Sequence, residues 1–147
     1  MIFSSPRDLY FAYGSNMSSR RLQARLPSAK ALGMARLDDY QWCCNKLGKD
    51  GSGKANMMEQ DGLHLFGVLY EIKSKQWKQL DRAETGYQRI KVEVEFKGEK
   101  CSVWSYHSKL ITANPPSQEY LSYIIDGLIE HQLPVEYVSE LRREAGL

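Results

Sequence analysis

The chain has 147 residues, 42% of them apolar and 26% charged, with nine Tyr, four Phe and three Trp. That is about one domain at ~150 residues per domain, spanning 1–147, and it can bury roughly 68–70% of its unfolded surface without disulfides or metals. Disordered, collagenous and coiled-coil classes are excluded. The net charge of +2 argues against nucleic acid or an anionic membrane surface as a partner. Charge is uneven along the chain: residues 1–60 carry nine basic and five acidic groups, residues 101–147 three and six. The basic tilt of the amino-terminal part suits an anionic small molecule, but an ordinary solvated surface is the better explanation of it.

The first element in chain order is Leu9-Tyr10-Phe11-Ala12-Tyr13, a short apolar run ended by Gly14-Ser15-Asn16, which predicts a buried strand entering a loop. Ser18 or Ser19 then caps a helix with Leu22 and Leu26 four apart, stopped by Pro27. Residues 31–47 mix apolar and charged types and predict one or two strands, in which Cys43 and Cys44 would point to opposite faces. Three glycines within 48–54 predict a mobile loop, and the non-periodic stretch to Gly62 extends it over 48–62. The apolar run 64–72 predicts a strand covered on both faces. Ser74 is the expected cap of a short helix over 75–84, with Trp77, Leu80 and Ala83 on one face and Glu84 at its end.

Ile90, Val92, Val94 and Phe96 alternate with charged residues, and Lys97-Gly98-Glu99-Lys100 turns this strand back onto 101–106 as an antiparallel hairpin. After Pro115-Pro116, Ser117 opens an amphipathic helix with apolar residues at 120, 121, 124, 125, 128 and 129. A last helix follows Pro134, with Val138 and Leu141 on its stripe. Strands and a hairpin interspersed with short helices lack the alternation of a doubly wound sheet, so the expected class is α+β.

Cys43, Cys44 and Cys101 form neither a disulfide set nor a C-x-x-C metal site, and His64, His107 and His131 have no partner at metal-ligand spacing. With no signal-peptide pattern in the first 15 residues and no ~18-residue apolar stretch, the expectation is a cytoplasmic protein without a membrane partner. Residues 48–54 satisfy G-x-x-x-x-G-K, but Ala55 stands where a phosphate-binding loop requires Ser or Thr. A flexible lid or hairpin turn is the expectation there.

Two places suit chemistry. Tyr13-Gly14-Ser15-Asn16, between a buried strand and a helix start, gathers backbone N–H groups able to hold a carboxylate or an oxyanion, and an ordinary turn is the plain alternative. Glu84 sits at a helix carboxyl end, where the dipole and burial both favour its neutral form and raise its pKa toward that of a proton shuttle. Solvated surface is the competing reading for Glu84. Asp81, one turn earlier, reads as a structural hydrogen-bonding group.

Tyr10-Phe11-Ala12-Tyr13-Gly14-Ser15-Asn16-Met17 resembles the amino-terminal signature of gamma-glutamylcyclotransferases. Pro27-Ser28-Ala29, Ala35-Arg36-Leu37, Phe66-Gly67-Val68-Leu69-Tyr70, Leu80-Asp81, Glu84, Pro115-Pro116-Ser117, Tyr120 and Leu133-Pro134 continue it in the family's order over nearly the whole chain. The resemblance implies a small mixed β-barrel surrounded by short helices, and cyclisation of a gamma-glutamyl amide to 5-oxoproline with release of an amino acid or amine. It implies Glu84 as catalytic residue, and Tyr10, Phe11, Ala12, Tyr13, Gly14, Ser15, Asn16 and Tyr120 as substrate-binding residues. Asn16 and Tyr106 take supporting roles. No metal or organic cofactor is implied, and the partner is a small gamma-glutamyl molecule. Glu84-Thr85-Gly86-Tyr87 is shorter than in the family, so no role passes to Tyr87. A narrower gamma-glutamylamine cyclotransferase and a noncatalytic binding domain of the same fold are the rival readings. The amine half is expected to be recognised by loops such as 48–62, and the last two helices either pack on the core or form a homodimer face.

Overall fold

A computed structural model describes residues 7–146. Among them, β1 (Arg7–Ala12) leads through a 3-10 turn (Ser15–Met17) to α1 (Ser19–Arg25), β2 (Lys30–Leu47) and β3 (Gly53–Lys73). A second 3-10 turn (Ser74–Gln76) opens α2 (Trp77–Ala83), followed by β4 (Gln88–Phe96), β5 (Glu99–His107), α3 (Gln118–Glu130) and α4 (Val135–Glu144). The strands close a barrel in the order β1-β3-β2-β4-β5. Neighbours run antiparallel except at the closure, where β1 meets β5 in parallel at Tyr10 and Trp104. The fold is α+β with a small mixed barrel, as expected from the resemblance.

The core explains why the apolar runs are continuous rather than alternating. Phe11, Val68, Leu69, Tyr70 and Ile72 lie on central strands with the barrel interior on one side and helices on the other, and each is 0–1% exposed. Each such side chain contributes roughly 1.5–3 kcal/mol on burial. Helix α1 buries Leu22, and Leu26 just beyond it, as their four-residue spacing predicts; the Ser18 side chain caps it by accepting from the Arg21 amide. Ser117 caps α3 in the same way from the Tyr120 amide.

The expectation of one or two strands over 31–47 resolves to one, and three other expectations need correction. The stretch 31–47 is a single strand, bent by register shifts at 31–33, 38–40 and 43–46, which keep an 18-residue strand curved around the barrel. At the last of these shifts, Cys43 and Cys44 are both half-buried, and Cys44 is the one of the two packed against the core. Residues 53–61, expected within a loop, form the first part of a 21-residue β3, with Ala55, Asn56 and Met57 buried in its pairing with β2. Ser74 caps no helix with its side chain: it begins the 3-10 turn, and α2 starts three residues later with Gln76 at its cap. Ile129 lies on the solvent side of α3, at 70% exposed, because its helical angle carries it past the buried Leu121, Ile124 and Leu128 stripe.

Helix α3 also fixes the loop after β1. A Cβ added at Gly127 would lie 2.5 Å from the Cβ of Met17, so only glycine lets α3 approach the Ser15–Met17 turn this closely. No helix among the described residues is long and apolar enough to cross a membrane.

Candidate active site

The end of β1, the 3-10 turn, the end of α2 and one residue each of β3, β5 and α3 converge on a narrow pocket with a cavity volume of about 30 Å³. Its walls are Tyr10, Tyr13, Gly14, Ser15 and Asn16 from the first segment, Ala55 from β3, Glu84 and Tyr87 from the turn after α2, Tyr106 from β5 and Tyr120 from α3. Five tyrosines and one carboxylate therefore dominate its chemistry.

Glu84 is the C-cap residue of α2, its amide bonded to the Leu80 carbonyl at 2.9 Å. Leu80 is fully buried, so packing of a short helix holds the carboxylate in place. Glu84 Oε1 accepts from Asn16 Nδ2 at 2.6 Å, and Arg25 Nη1 stands 3.7 Å away. Arg25 Nη1 also donates to Asn16 Oδ1 at 3.0 Å, which orients the amide so that its nitrogen serves both Glu84 and the Tyr10 hydroxyl, at 3.0 Å. Among the described residues, Glu84 Oε2 has no hydrogen-bond partner and is free to exchange a proton with a ligand. The side chain is only 15% exposed. Loss of solvation raises its pKa above the ordinary glutamate value, and Arg25, Asn16, Arg21 and Lys46 pull back against that rise.

The tyrosines are donors held ready. Tyr120 Oη accepts from the Ala55 amide at 2.8 Å and Tyr10 Oη accepts from Asn16, so both hydroxyl protons are unspent among the described residues. Burial pushes both phenols up, Glu84 adding to the rise, and they stay protonated. Tyr87 donates to the Ala55 carbonyl at 2.5 Å, so Ala55 is fixed by one phenol at each end of its peptide group. Tyr13 donates to the Tyr106 carbonyl, and Tyr106 donates to Asp81, itself paired with Arg89 at 3.3 Å. Gly14 leaves the space into which these groups face. A Cβ there would stand 2.8 Å from the Ala55 Cβ and 3.3 Å from the Tyr120 hydroxyl. The Met17 amide is spent on the Gly14 carbonyl at 3.0 Å, and among the described residues the Ser15 and Asn16 amides at the start of the turn have no such partner.

The AIG2-like family model matches residues 64–141. Gamma-glutamylcyclotransferase of Bos taurus is 32% identical over 143 residues, 90% of this chain and 76% of that protein. Its Homo sapiens counterpart is 32% identical over 144 residues, 91% of this chain and 77% of that one. The chain belongs to the gamma-glutamylcyclotransferase family. A solved structure titled gamma-glutamyl cyclotransferase superposes with a TM-score of 0.86 at 30% identity, covering 93% of this chain and 87% of that one.

Family membership and geometry together sort the expected site residues. Tyr10, Tyr13, Gly14, Ser15, Asn16, Glu84 and Tyr120 meet in one pocket although they span more than a hundred positions. Phe11 and Ala12 do not line it: their side chains are 0% and 1% exposed in the core, and the Phe11 carbonyl is taken by Ser105. Ala55 and Tyr87 are pocket residues that the sequence reading did not assign, and Ala55 carries no chemical signal of its own. Asp81 is the structural hydrogen-bonding group expected, since it anchors Tyr106.

Proposed function

We propose that this member of the family converts gamma-glutamyl amides of amino acids or amines to 5-oxoproline, with Glu84 as its only proton carrier. The carrying observation is a raised-pKa carboxylate with one oxygen tethered and the other free, inside a pocket of phenol and amide donors. Ionised Glu84 takes a proton from the substrate α-ammonium, whose ordinary pKa is ~8, and frees its lone pair. The amine nitrogen bonds to the γ-carbonyl carbon of the same molecule. The carbonyl π electrons move to oxygen, and the unspent protons of Tyr10 and Tyr120, with the turn amides, supply donors for that oxyanion and for the α-carboxylate.

Collapse of the intermediate restores the carbonyl and breaks the bond to the leaving nitrogen. That nitrogen takes the proton from Glu84, and the regenerated carboxylate then relays the extra proton of the cationic ring nitrogen to the released amine, which leaves as an ammonium, so 5-oxoproline is neutral at nitrogen, Glu84 is again ionised and water is not consumed. Nucleophile and electrophile share one substrate, and folding the glutamyl chain in the pocket supplies an effective molarity of ~10⁵–10⁸ M. One carboxylate is therefore enough, and no step requires a covalent enzyme intermediate.

The test is purified protein incubated with gamma-glutamyl-alanine and a gamma-glutamyl amine, with 5-oxoproline followed by mass spectrometry. Formation from both supports the reading, and formation from the amine alone narrows it to a gamma-glutamylamine enzyme. Thermal stabilisation by both compounds without product would establish a noncatalytic binding domain instead.

A further inference from the structure

The tyrosine pocket adjoins a second, larger cavity of about 450 Å³, which shares Ser15, Glu84, Tyr87 and Tyr120 with it. Six cations line this vestibule: Arg21 and Arg25 from α1, Lys46 from β2, Lys49 and Lys54 from the β2–β3 hairpin, and Arg82 from α2. Only Asp50 and Glu84 oppose them, a surplus of four positive charges on one cavity in a chain whose net charge is +2. Lys54 pairs with Asp50 at 3.6 Å and Arg25 lies 3.7 Å from Glu84. Among the described residues, the other four cations have no carboxylate at ion-pair distance.

Lys46 is the informative one. It is 4% exposed, its Nζ donates to the Thr85 carbonyl at 2.6 Å, and it lies 4.6 Å from the centre of the Tyr87 ring. A buried ammonium is normally matched by a carboxylate, and this one has a carbonyl and an aromatic face instead. Burial accordingly pulls its pKa down. The glycine-rich hairpin that mimics a phosphate loop in sequence is the outer rim of this cavity, braced by Asp50 accepting from the Ser52 amide and hydroxyl.

We propose that the vestibule is the subsite for the leaving half of the substrate, and that it selects leaving amino acids with two carboxylates over those with one and over neutral amines. The inference rests on the cyclisation reading, which puts the glutamyl half in the tyrosine pocket and the leaving half at the mouth shared with the vestibule. One carboxylate leaves most of the vestibule surplus unanswered, and a second lowers it further in a partly enclosed, weakly screened space.

The experiment compares gamma-glutamyl-aspartate, gamma-glutamyl-alanine and gamma-glutamyl-ethylamide as substrates at ~0.01 M and ~1 M salt. At low salt kcat/KM falls in that order, by roughly threefold to fivefold at each step and mainly through KM, and the steps shrink at high salt. The double variant Lys49→Gln/Arg82→Gln removes two exposed charges without disturbing the core and compresses the ranking. Lys46→Met, which keeps the apolar stem, compresses it further. Equal or reversed values at low salt, with 5-oxoproline formed from all three, overturn the vestibule assignment alone. If none is turned over, the reaction reading fails, and calorimetric titration of the same compounds still decides the vestibule. Tighter binding of the aspartate compound supports it and equal binding overturns it.

Discussion

The inner pocket and its vestibule share four residues and follow opposite designs. The pocket holds a single carboxylate among phenols whose hydroxyls are fixed by backbone groups and by the side chains of Asn16 and Asp81, so its donors are set before a ligand arrives. The vestibule is walled by long cationic side chains, four of them without carboxylate partners among the described residues, whose attraction reaches further and depends on salt. Fixed donors suit a developing charge that must be met at one place. Lys46 and Arg25 are tethered, whereas the exposed rim cations Lys49 and Arg82 suit a group whose identity varies and whose position matters less. On the proposed reading, catalysis belongs to the pocket and selection to the vestibule.

The largest effect belongs to the pocket. Glu84→Gln keeps the shape of the side chain and its packing on Leu80 but cannot take a proton, so turnover falls by ~10²–10⁴-fold. Burial raises the Glu84 pKa, so its folding contribution is present when it is protonated and is lost as pH rises through the raised value. The Gln variant is therefore at least as stable as wild type at neutral pH, and a thermal melt beside the assay separates lost chemistry from lost fold.

Tyr120→Phe removes a phenol proton that no protein group accepts, and kcat/KM drops roughly 10–100-fold as expected for a hydrogen bond to a charged group. Loss of stability with unchanged kinetics would instead make Tyr120 a brace for Ala55. The acid limb of the kcat/KM profile lies above the ordinary glutamate range, with activity falling as pH drops through it. Arg25→Gln removes the strongest charge favouring the carboxylate and moves that limb to higher pH. An unmoved limb would assign it to another group. The smallest effect is at the rim: charge removal at Lys49 and Arg82 changes preference a few-fold, with little change in the limb.

Much of this frame was readable from residue order because local signals dominate there. The alternation at 90–96 gave the hairpin, Ser18 and Ser117 gave true helix caps, and Glu84 falls at a helix end as its pattern implied. The amino-terminal motif named the right segment but overreached at Phe11 and Ala12. A contiguous motif follows the chain, whereas successive strand residues face opposite sides, so Phe11 turns into the core beside Tyr10. Ala55 and Tyr87 were hidden for a different reason: they reach the pocket through β2–β3 pairing and closure of the barrel, contacts that no local pattern encodes. The glycine-rich turn concealed the extent of β3 on its far side, and with it the wall that Ala55 provides.

The most direct measurement is turnover of a gamma-glutamyl dipeptide in isotopically labelled water, with both products analysed by mass spectrometry. Intramolecular attack assisted by Glu84 predicts 5-oxoproline without label, formed in equal amount to the released amino acid. Free glutamate carrying one labelled oxygen would mean that water is the nucleophile, and would contradict the account.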